Sequence, residues 1–297
     1  MSPSYIAAQQ VFCMIVCKMV QLSIAGGYNP FTAYAYVMYG QLLCGRTHDI
    51  AAGVQFGNLA LKLLERAPAM HMTPKVVVMA SVYILPWQEA LTTTLQPLLE
   101  SYHLGLEQGD FEFVRIAAFM YCIHRYFLGT ELTIVEREVA TYRQAISRLQ
   151  PGPAQAYMEI WHQAVLNLLG HAEEPWRLAG SVCDEATILP HLLEVQHFSA
   201  VLHLHMATMI LCYLWEENGP ALAHAGRDGQ LIERATGWTL SAVFYLYDSL
   251  VRLRAYAQQP TSEQGGSPQA MGPSGGAGDT LAAAMDGLSW MRRRALA

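Results

Sequence analysis

Five side chains that could bind a metal ion or move a proton lie within 15 residues of one another: His191, Glu194, His197, His203 and His205. The first three follow at every third residue, which spreads them over a wide arc of a helix, and the last two point to nearly opposite sides. A divalent-metal site needs ligands that converge on one point. We therefore expect ordinary packing histidines, with an enzyme or metal site around His191 to His205 as the alternative.

Other motifs that could carry chemistry are incomplete. The segment Gly272 to Gly278 reads GPSGGAG, but a phosphate-binding loop needs a lysine behind its glycines, and no lysine follows Lys75. The catalytic loop and the Asp-Phe-Gly segment of protein kinases are missing, and no C-x-x-C pair occurs. The sequence predicts no catalytic, cofactor-binding or metal-binding residue, and it leaves the partner-binding residues unknown.

The composition excludes several classes of protein. The 297 residues are 53% hydrophobic and only 14% charged, and the formal net charge is −6. Disordered chains and coiled coils need many more charges, and binding of nucleic acid through bulk charge needs a positive surface. What remains is a folded globular or repeat protein with an unusually apolar surface, or a membrane protein.

The apolar segment Val11 to Ile24 is the candidate for a membrane span or a signal peptide. Lys18 and Gln21 interrupt it, it falls short of the about 20 apolar residues of a span, and no basic segment precedes it. We predict a core helix that ends at Gly26-Gly27. Four of the six cysteines lie in apolar stretches and are expected to be buried, reduced thiols, which favours a cytoplasmic protein. The length of Val11 to Ile24 predicts no membrane span.

Aromatic and basic side chains crowd two other segments. These are Tyr34, Tyr36 and Tyr39, and then Tyr121, His124, Arg125 and Tyr126. Such side chains anchor protein interfaces, but periodic aromatics more often build a core, so we expect packing and keep a partner groove as the alternative. The run Arg292 to Arg294 suits the C-terminus of a helix and could also touch an acidic partner or a membrane.

Similar helical segments recur along the chain. They begin at Phe31, Thr73, Phe111, Ala154, Phe198 and Thr239, so that the steps between them are 42, 38, 43, 44 and 41 residues. Each unit has the pattern of two helices separated by a short break, and no segment has the alternating pattern of a strand. We predict an all-α protein, an α-solenoid of about five helix pairs with a period of about 42 residues and a terminal helix.

Local signals predict where the helices begin and end. Gly45 should end the first helix of unit one, and Asp49 should cap the second. Thr133 and Glu136 have the spacing of a capping box. We expect the second helices of the second and fourth units to begin at Gln88 and near Glu174.

The last part of the chain differs in composition. We predict a helical-repeat domain over residues 1–257, a disordered linker over 258–278 because that segment is rich in glycine and proline, and a C-terminal helix or tail over 279–297. The helix from Thr239 to Ala257 would then begin a sixth unit without a second half. We expect removal of residues 258–297 to leave the repeats folded, unless the final helix folds back onto the sixth unit.

The stretch from Phe31 to Arg254 resembles one known family. It is similar to the tetratricopeptide-like helical region of large bacterial signal-transduction kinases. Those proteins join a serine/threonine kinase, an AAA-type ATPase, this helical region, a GAF sensor and a histidine kinase. The phrases that carry the resemblance are AYAYVMYGQLLCG (33–45), GVQFGNLALKLLE (53–65), LLESYHLGLEQGDFEF (98–113), YFLGTELTIVERE (126–138), QAVLNLLG (163–170), ILCYLWEE (210–217) and FYLYDSLVRL (244–253).

The resemblance implies a regulatory role rather than catalysis. The kinase, ATPase and GAF domains of that family are not present in these residues, so none of their ATP-binding or catalytic residues carries over. The chain would be a non-catalytic scaffold or regulatory segment of a two-component signalling kinase that contacts a protein partner or adjacent domains, without cofactor or nucleic acid. The rivals are an enzyme or metal site around His191 to His205, and a membrane-associated adaptor that uses an exposed first helix.

Overall fold

The computed structural model describes residues 9–66, 70–149, 152–232, 238–258 and 277–295. Within these ranges the chain forms thirteen α-helices, and its one β-type contact is the isolated bridge between Ala179 and Asp184. The predicted all-α class is confirmed.

Short breaks separate the helices. Leu43–Thr47 forms a π-helical turn, and Met70–Met72, Leu85–Trp87 and Leu91–Thr94 form 3₁₀ turns. The helices are α1 (Gln9–Gly26), α2 (Thr32–Leu42), α3 (Ile50–Arg66), α4 (Thr73–Tyr83), α5 (Leu95–Gln108), α6 (Phe111–Phe127), α7 (Leu132–Ser147), α8 (Ala154–Leu168), α9 (Glu185–Glu194), α10 (Phe198–Leu214), α11 (Asn218–Ile232), α12 (Ser241–Ala257) and α13 (Ala277–Ala295).

The even-numbered helices form one layer of a stack. From α2 to α12, each of them packs against the next even-numbered helix, and the odd-numbered helices lie outside this row. Helices α3, α5, α7 and α11 each contact the even-numbered helices before and after them, as expected for helical repeats that pack on their neighbours.

Burial on several sides accounts for the low charge of the sequence. Every residue of α10 from Ala200 to Cys212 is buried, because this helix contacts α8, α9, α11 and α12. A helix that is apolar on all sides is expected in such a position.

One hydrogen bond joins distant units of the stack. The Thr239 hydroxyl, just before α12, donates to the carbonyl of Val82 near the end of α4, at 2.7 Å, and both residues are buried. The second and sixth units therefore touch at this point.

Several predicted helix boundaries agree with the structure. The Asp49 carboxylate accepts a hydrogen bond from the Ala52 amide at 3.0 Å and caps α3. Gly27 has a φ of 74° directly after α1, where the helix was predicted to end. Gly109 ends α5 in the same way, with a φ of 71°. A left-handed conformation of this kind favours glycine over other residues.

Other boundary predictions are wrong. Gly45 does not end the first helix, which continues through the π-helical turn to His48 at a φ of 59°. Thr133 and Glu136 form no capping box, because Thr133 lies inside α7 and its hydroxyl donates to Glu131. The second helix of unit two begins at Leu95 instead of Gln88, since 3₁₀ turns fill the gap.

The fourth unit departs most from the predicted pattern. Its second helix begins at Glu185, not near Glu174, and the residues before it are irregular. Gln163 fixes this segment, because its side-chain oxygen accepts hydrogen bonds from the amides of Val182 and Cys183 at 3.0 and 3.3 Å. These backbone amides are therefore bonded to a side chain of α8 and not to carbonyl groups within a helix.

The sixth unit has a second half. Helix α13 packs along α12, and the Ser249 hydroxyl donates to the Ala284 carbonyl at 3.2 Å. Of the two outcomes considered for the C-terminal helix, the structure shows the one in which it folds back. The predicted linker falls mainly on residues 259–276, outside the described residues, so its disorder stays a prediction.

Candidate functional site

The structure does not bring the candidate metal-binding or proton-transferring side chains to one point. These are His191, Glu194, His197, His203 and His205. His191 and Glu194 are exposed near the end of α9. His197 lies half-buried against Tyr157, with ring centres 5.4 Å apart in a stacked arrangement. His203 and His205 lie in α10 and contact different neighbours.

His203 lies at the centre of an aromatic cluster. The Trp161 indole donates to its Nδ1 at 3.1 Å, and its ring centre lies 5.1 Å from Phe119, 4.5 Å from Tyr157 and 4.9 Å from Trp238. Burial lowers the pKa of His203 to about 3, with a smaller contribution from His197. The side chain is therefore neutral near pH 7, and it serves as a hydrogen-bond acceptor in the core.

His205 belongs to a second polar group. Its ring centre lies 5.3 Å from that of His224, and His224 Nε2 lies 3.8 Å from a carboxylate oxygen of Glu185. The Thr208 hydroxyl lies 3.3 Å from the other oxygen of Glu185. Nevertheless, no group of three or more His, Cys, Asp or Glu side chains in the described residues could hold a metal ion.

The crowded tyrosines pack between neighbouring helices. Tyr36 and Tyr39 of α2 meet Phe56 of α3 edge to face, at 5.8 and 4.8 Å. Tyr121 of α6 meets Tyr142 of α7 at 5.7 Å. These side chains therefore build contacts within the stack, where aromatic pairs add to the stability from buried area.

Arg125 and His124 of the second segment also make contacts within the stack. Arg125 pairs with Glu138 across α6 and α7 at 3.1 Å. His124 is fully buried and meets the Thr94 hydroxyl at 2.7 Å, and burial lowers its pKa to about 4.

A narrow apolar cavity between α6, α7 and α8, lined by Cys122 and Met158 among others, has room for about one water molecule.

The surface that stands out is the outer side of α1. Its inner side packs on α2 through Phe12, Val16 and Val20, all buried. The outer side is apolar and open to solvent: Val11, Ile15 and Leu22 are 49%, 37% and 58% exposed, and Met14 and Ile24 are both 71% exposed. We define the N-terminal stripe as Val11, Ile15, Lys18, Leu22 and Ala25, all of them exposed.

The composition of this helix is unlike that of an ordinary end helix. A helix that ends a repeat stack normally has a polar outer side, which keeps the protein soluble. Residues 9–31 contain one charged side chain, Lys18, and no carboxylate. A patch of this kind is typical of an interaction site.

One feature expected of the membrane-associated adaptor, an exposed apolar first helix, is present in α1. No helix among the described residues is long and apolar enough to cross a membrane. The side chains of Arg292 to Arg294 lie outside the described part of the chain, so their proposed contacts stay untested.

Sequence analysis missed the N-terminal stripe, although the signal is present. Phe12, Val16 and Val20 recur every four residues and account for one side of the helix. Val11, Ile15, Lys18, Leu22 and Ala25 follow at steps of four and three, which places them along a second side. A helix that is apolar on two sides needs a neighbour on each of them.

Comparison with known proteins gives one informative match. The hybrid signal transduction histidine kinase G of Dictyostelium discoideum is 26% identical to this chain over 171 residues. The matched region covers 57% of this chain and 5% of that protein. The chain thus matches only a small part of a very large signalling protein. No protein-family profile matches the chain, and no solved structure matches it.

Proposed function

We propose that the chain is a non-catalytic helical segment of a signalling kinase system, which assembles or regulates its modules through protein–protein or interdomain contacts. The observation that carries the proposal is the apolar N-terminal stripe at the open end of the helix stack. The distant similarity to a hybrid histidine kinase supports the association with signalling.

The absence of catalysis is part of this proposal. Burial lowers the pKa of four histidines, His124, His162, His197 and His203. His124 and His203 are used in buried packing, while catalysis needs titratable groups that converge in a pocket. We expect the purified chain to show no ATP hydrolysis and no phosphotransfer in a radiolabelled-ATP assay. Turnover above that of an unrelated control protein would contradict the proposal.

The contact role is tested in source cells. We expect a tagged chain to co-purify with a kinase, and Leu22→Glu, which places a carboxylate on the N-terminal stripe, to lower the phosphohistidine content of that kinase severalfold. Met285→Glu is the matched control, because Met285 is 59% exposed on α13 at the other end of the stack. The proposal is wrong if no kinase co-purifies, or if both variants have equal effects.

A further inference from the structure

The six cysteines of this chain fall into two groups by exposure. Four of them are buried in the stack: Cys44, Cys122, Cys183 and Cys212. Burial raises the pKa of the last three, which keeps them as unreactive thiols. The other two lie on α1, where Cys17 is exposed and Cys13 is half-buried. These two cysteines therefore offer their sulfur atoms to a ligand from solvent.

The spacing of the exposed pair disfavours a disulfide and favours a bridging ion. Because Cys17 follows Cys13 by four residues, the two side chains lie one turn apart on the same side of α1, with β-carbons about 5–6 Å apart. A disulfide needs β-carbons within about 3.5–4.5 Å of each other. An ion bound in line between two thiolates, with metal–sulfur bonds of about 2.3 Å, holds the sulfur atoms about 4.6 Å apart. Side chains one helical turn apart can reach that separation.

A third sulfur atom lies beside the pair. Met14 is 71% exposed and precedes Cys17 by three residues, so its thioether neighbours that thiol on the surface of the helix. Thiolates and thioethers are soft ligands, and among biological metal ions they favour Cu⁺. The three side chains together form a sulfur-only set of ligands on one helix.

The surroundings of the pair disfavour harder metal ions. Residues 9–31 contain no carboxylate and no histidine. Structural zinc sites need four ligands, and magnesium and calcium need oxygen ligands. A complex of Cu⁺ with two thiolates carries one negative charge, and the exposed ammonium group of Lys18, the residue after Cys17, supplies one positive charge nearby.

We propose that Cys13 and Cys17 bind one Cu⁺ ion on the surface of α1, with Met14 as a third ligand. Each thiol releases its proton to water when its sulfur binds the ion, so one Cu⁺ displaces two protons, and neither copper nor sulfur changes its oxidation state. The charge of this side of α1 would then depend on the supply of reduced copper. The inference goes beyond the proposed function and does not depend on it.

Competition with a coloured Cu⁺ chelator tests the site in the purified full chain, without oxygen and with ascorbate as the reductant so that no added thiol competes. We expect the chain to take up one Cu⁺, and Cys13→Ser and Cys17→Ser each to weaken binding at least a hundredfold. The four buried cysteines are unchanged in both variants. Variants that bind as tightly as the wild type would therefore place the ion elsewhere and overturn the proposal, as would a chain that takes up no Cu⁺.

The double variant Cys17→Ser/Gln21→Cys tests the spacing. Gln21 is exposed on α1 eight residues after Cys13, so this variant keeps two accessible thiols but separates them by about 12 Å along the helix. One ion cannot bridge that distance, and we expect binding as weak as in Cys17→Ser. Binding as tight as in the wild type would show that any two exposed thiols suffice, and it would overturn the bridged site.

The third ligand has a matched control on another helix. Met14→Leu should weaken binding about tenfold, while Met285→Leu should leave it unchanged, because Met285 is 59% exposed on α13, which contains no cysteine. Equal effects of the two variants would overturn the assignment of Met14.

X-ray absorption by the copper gives an independent readout of its ligands. We expect a first shell of sulfur atoms alone, at about 2.2–2.3 Å. Nitrogen or oxygen neighbours in that shell would overturn the sulfur-only site. These measurements use purified chain and added copper, so their failure leaves the kinase experiment in cells unaffected, and the two proposals fail separately.

Discussion

The two ends of the helix stack are finished in different ways. At the C-terminal end, α13 covers α12, and its outer side mixes Asp286 with Met285 and Leu288. At the N-terminal end, α1 covers α2 in the same manner, but its outer side is apolar apart from Lys18 and Gln21. Both helices cover the stack, but among the described side chains the exposed side of α1 is the more apolar of the two. An end helix can therefore cover the fold and still leave an apolar surface in solvent.

Removal of α13 should have the largest effect. A chain that ends at Gln258 exposes the side of α12 that holds Ser249, which is fully buried. We expect the free energy of unfolding to fall by roughly 4 kcal/mol or more, comparable to truncating two large core side chains, and the melting temperature to fall by more than about 8 °C.

Thermal unfolding followed by circular dichroism at 222 nm measures this effect. A fall of less than about 4 °C would show that α13 is dispensable. The two ends would then differ even more than the structure indicates, and the earlier expectation that the repeats stay folded without residues 258–297 would hold.

The next largest expected effect is a difference in stability between substitutions on the two sides of α1. Phe12 is 1% exposed against α2, so Phe12→Ala should cost about 3 kcal/mol. Leu22→Ala on the outer side should change stability by less than about 0.5 kcal/mol. Urea unfolding at about 1 μM compares the two variants. Equal losses would contradict the division of α1 into a covered side and an open side.

The centre of the stack provides a pH dependence that neither end should alter. Because the pKa of His203 is about 3 in the folded chain and about 6.5 when unfolded, the unfolded state binds more protons between these values. The stability that a neutral His203 contributes is present above pH 6.5 and is lost as the pH falls toward 3. Between pH 7.5 and 5.0 the expected loss from this residue is roughly 2 kcal/mol.

His203→Gln is the matched variant for this measurement, because glutamine keeps an acceptor for Trp161 and does not titrate. Urea unfolding at the two pH values should show a smaller loss in His203→Gln than in the wild type. The difference should be the same with and without α13. A difference that depends on α13 would show that the C-terminal end is coupled to the centre.

The smallest expected effect lies at the contact between α12 and α13. A β-carbon added at Gly287 would lie 2.4 Å from the Ser249 hydroxyl oxygen. Gly287→Ala should therefore cost about 1 kcal/mol in the wild type through crowding. In a Ser249→Ala background the hydroxyl is gone, and the same change should stabilise by up to about 1 kcal/mol, because alanine favours a helix over glycine. Additive effects in this double-mutant cycle would show that the two residues are not in contact.

Much of the fold could be predicted from local signals. The start of a unit at Phe111 and the cap of α3 at Asp49 were predicted correctly, since such signals act within a few positions. The second helix of the fourth unit was predicted wrongly because its start depends on Gln163, which lies 20 residues before Cys183 and holds it through a hydrogen bond.

The site was harder to predict than the fold. The spacing of His191 to His205 was sufficient to argue against a metal centre, because helical geometry alone keeps the side chains apart. The N-terminal stripe escaped notice, since an apolar residue in a sequence does not show whether a neighbour covers it.

The sequence by itself determined the all-α class, the spacing of the helical segments and some of the helix ends, because periodicity and capping depend on residues that are close along the chain. Only the tertiary structure decided which apolar surfaces are covered. It placed α13 on α12, joined Thr239 to Val82 across the stack, and left the outer side of α1 open. Burial is a property of contacts between residues far apart in sequence. For that reason an apolar segment is covered in one place and left exposed in another.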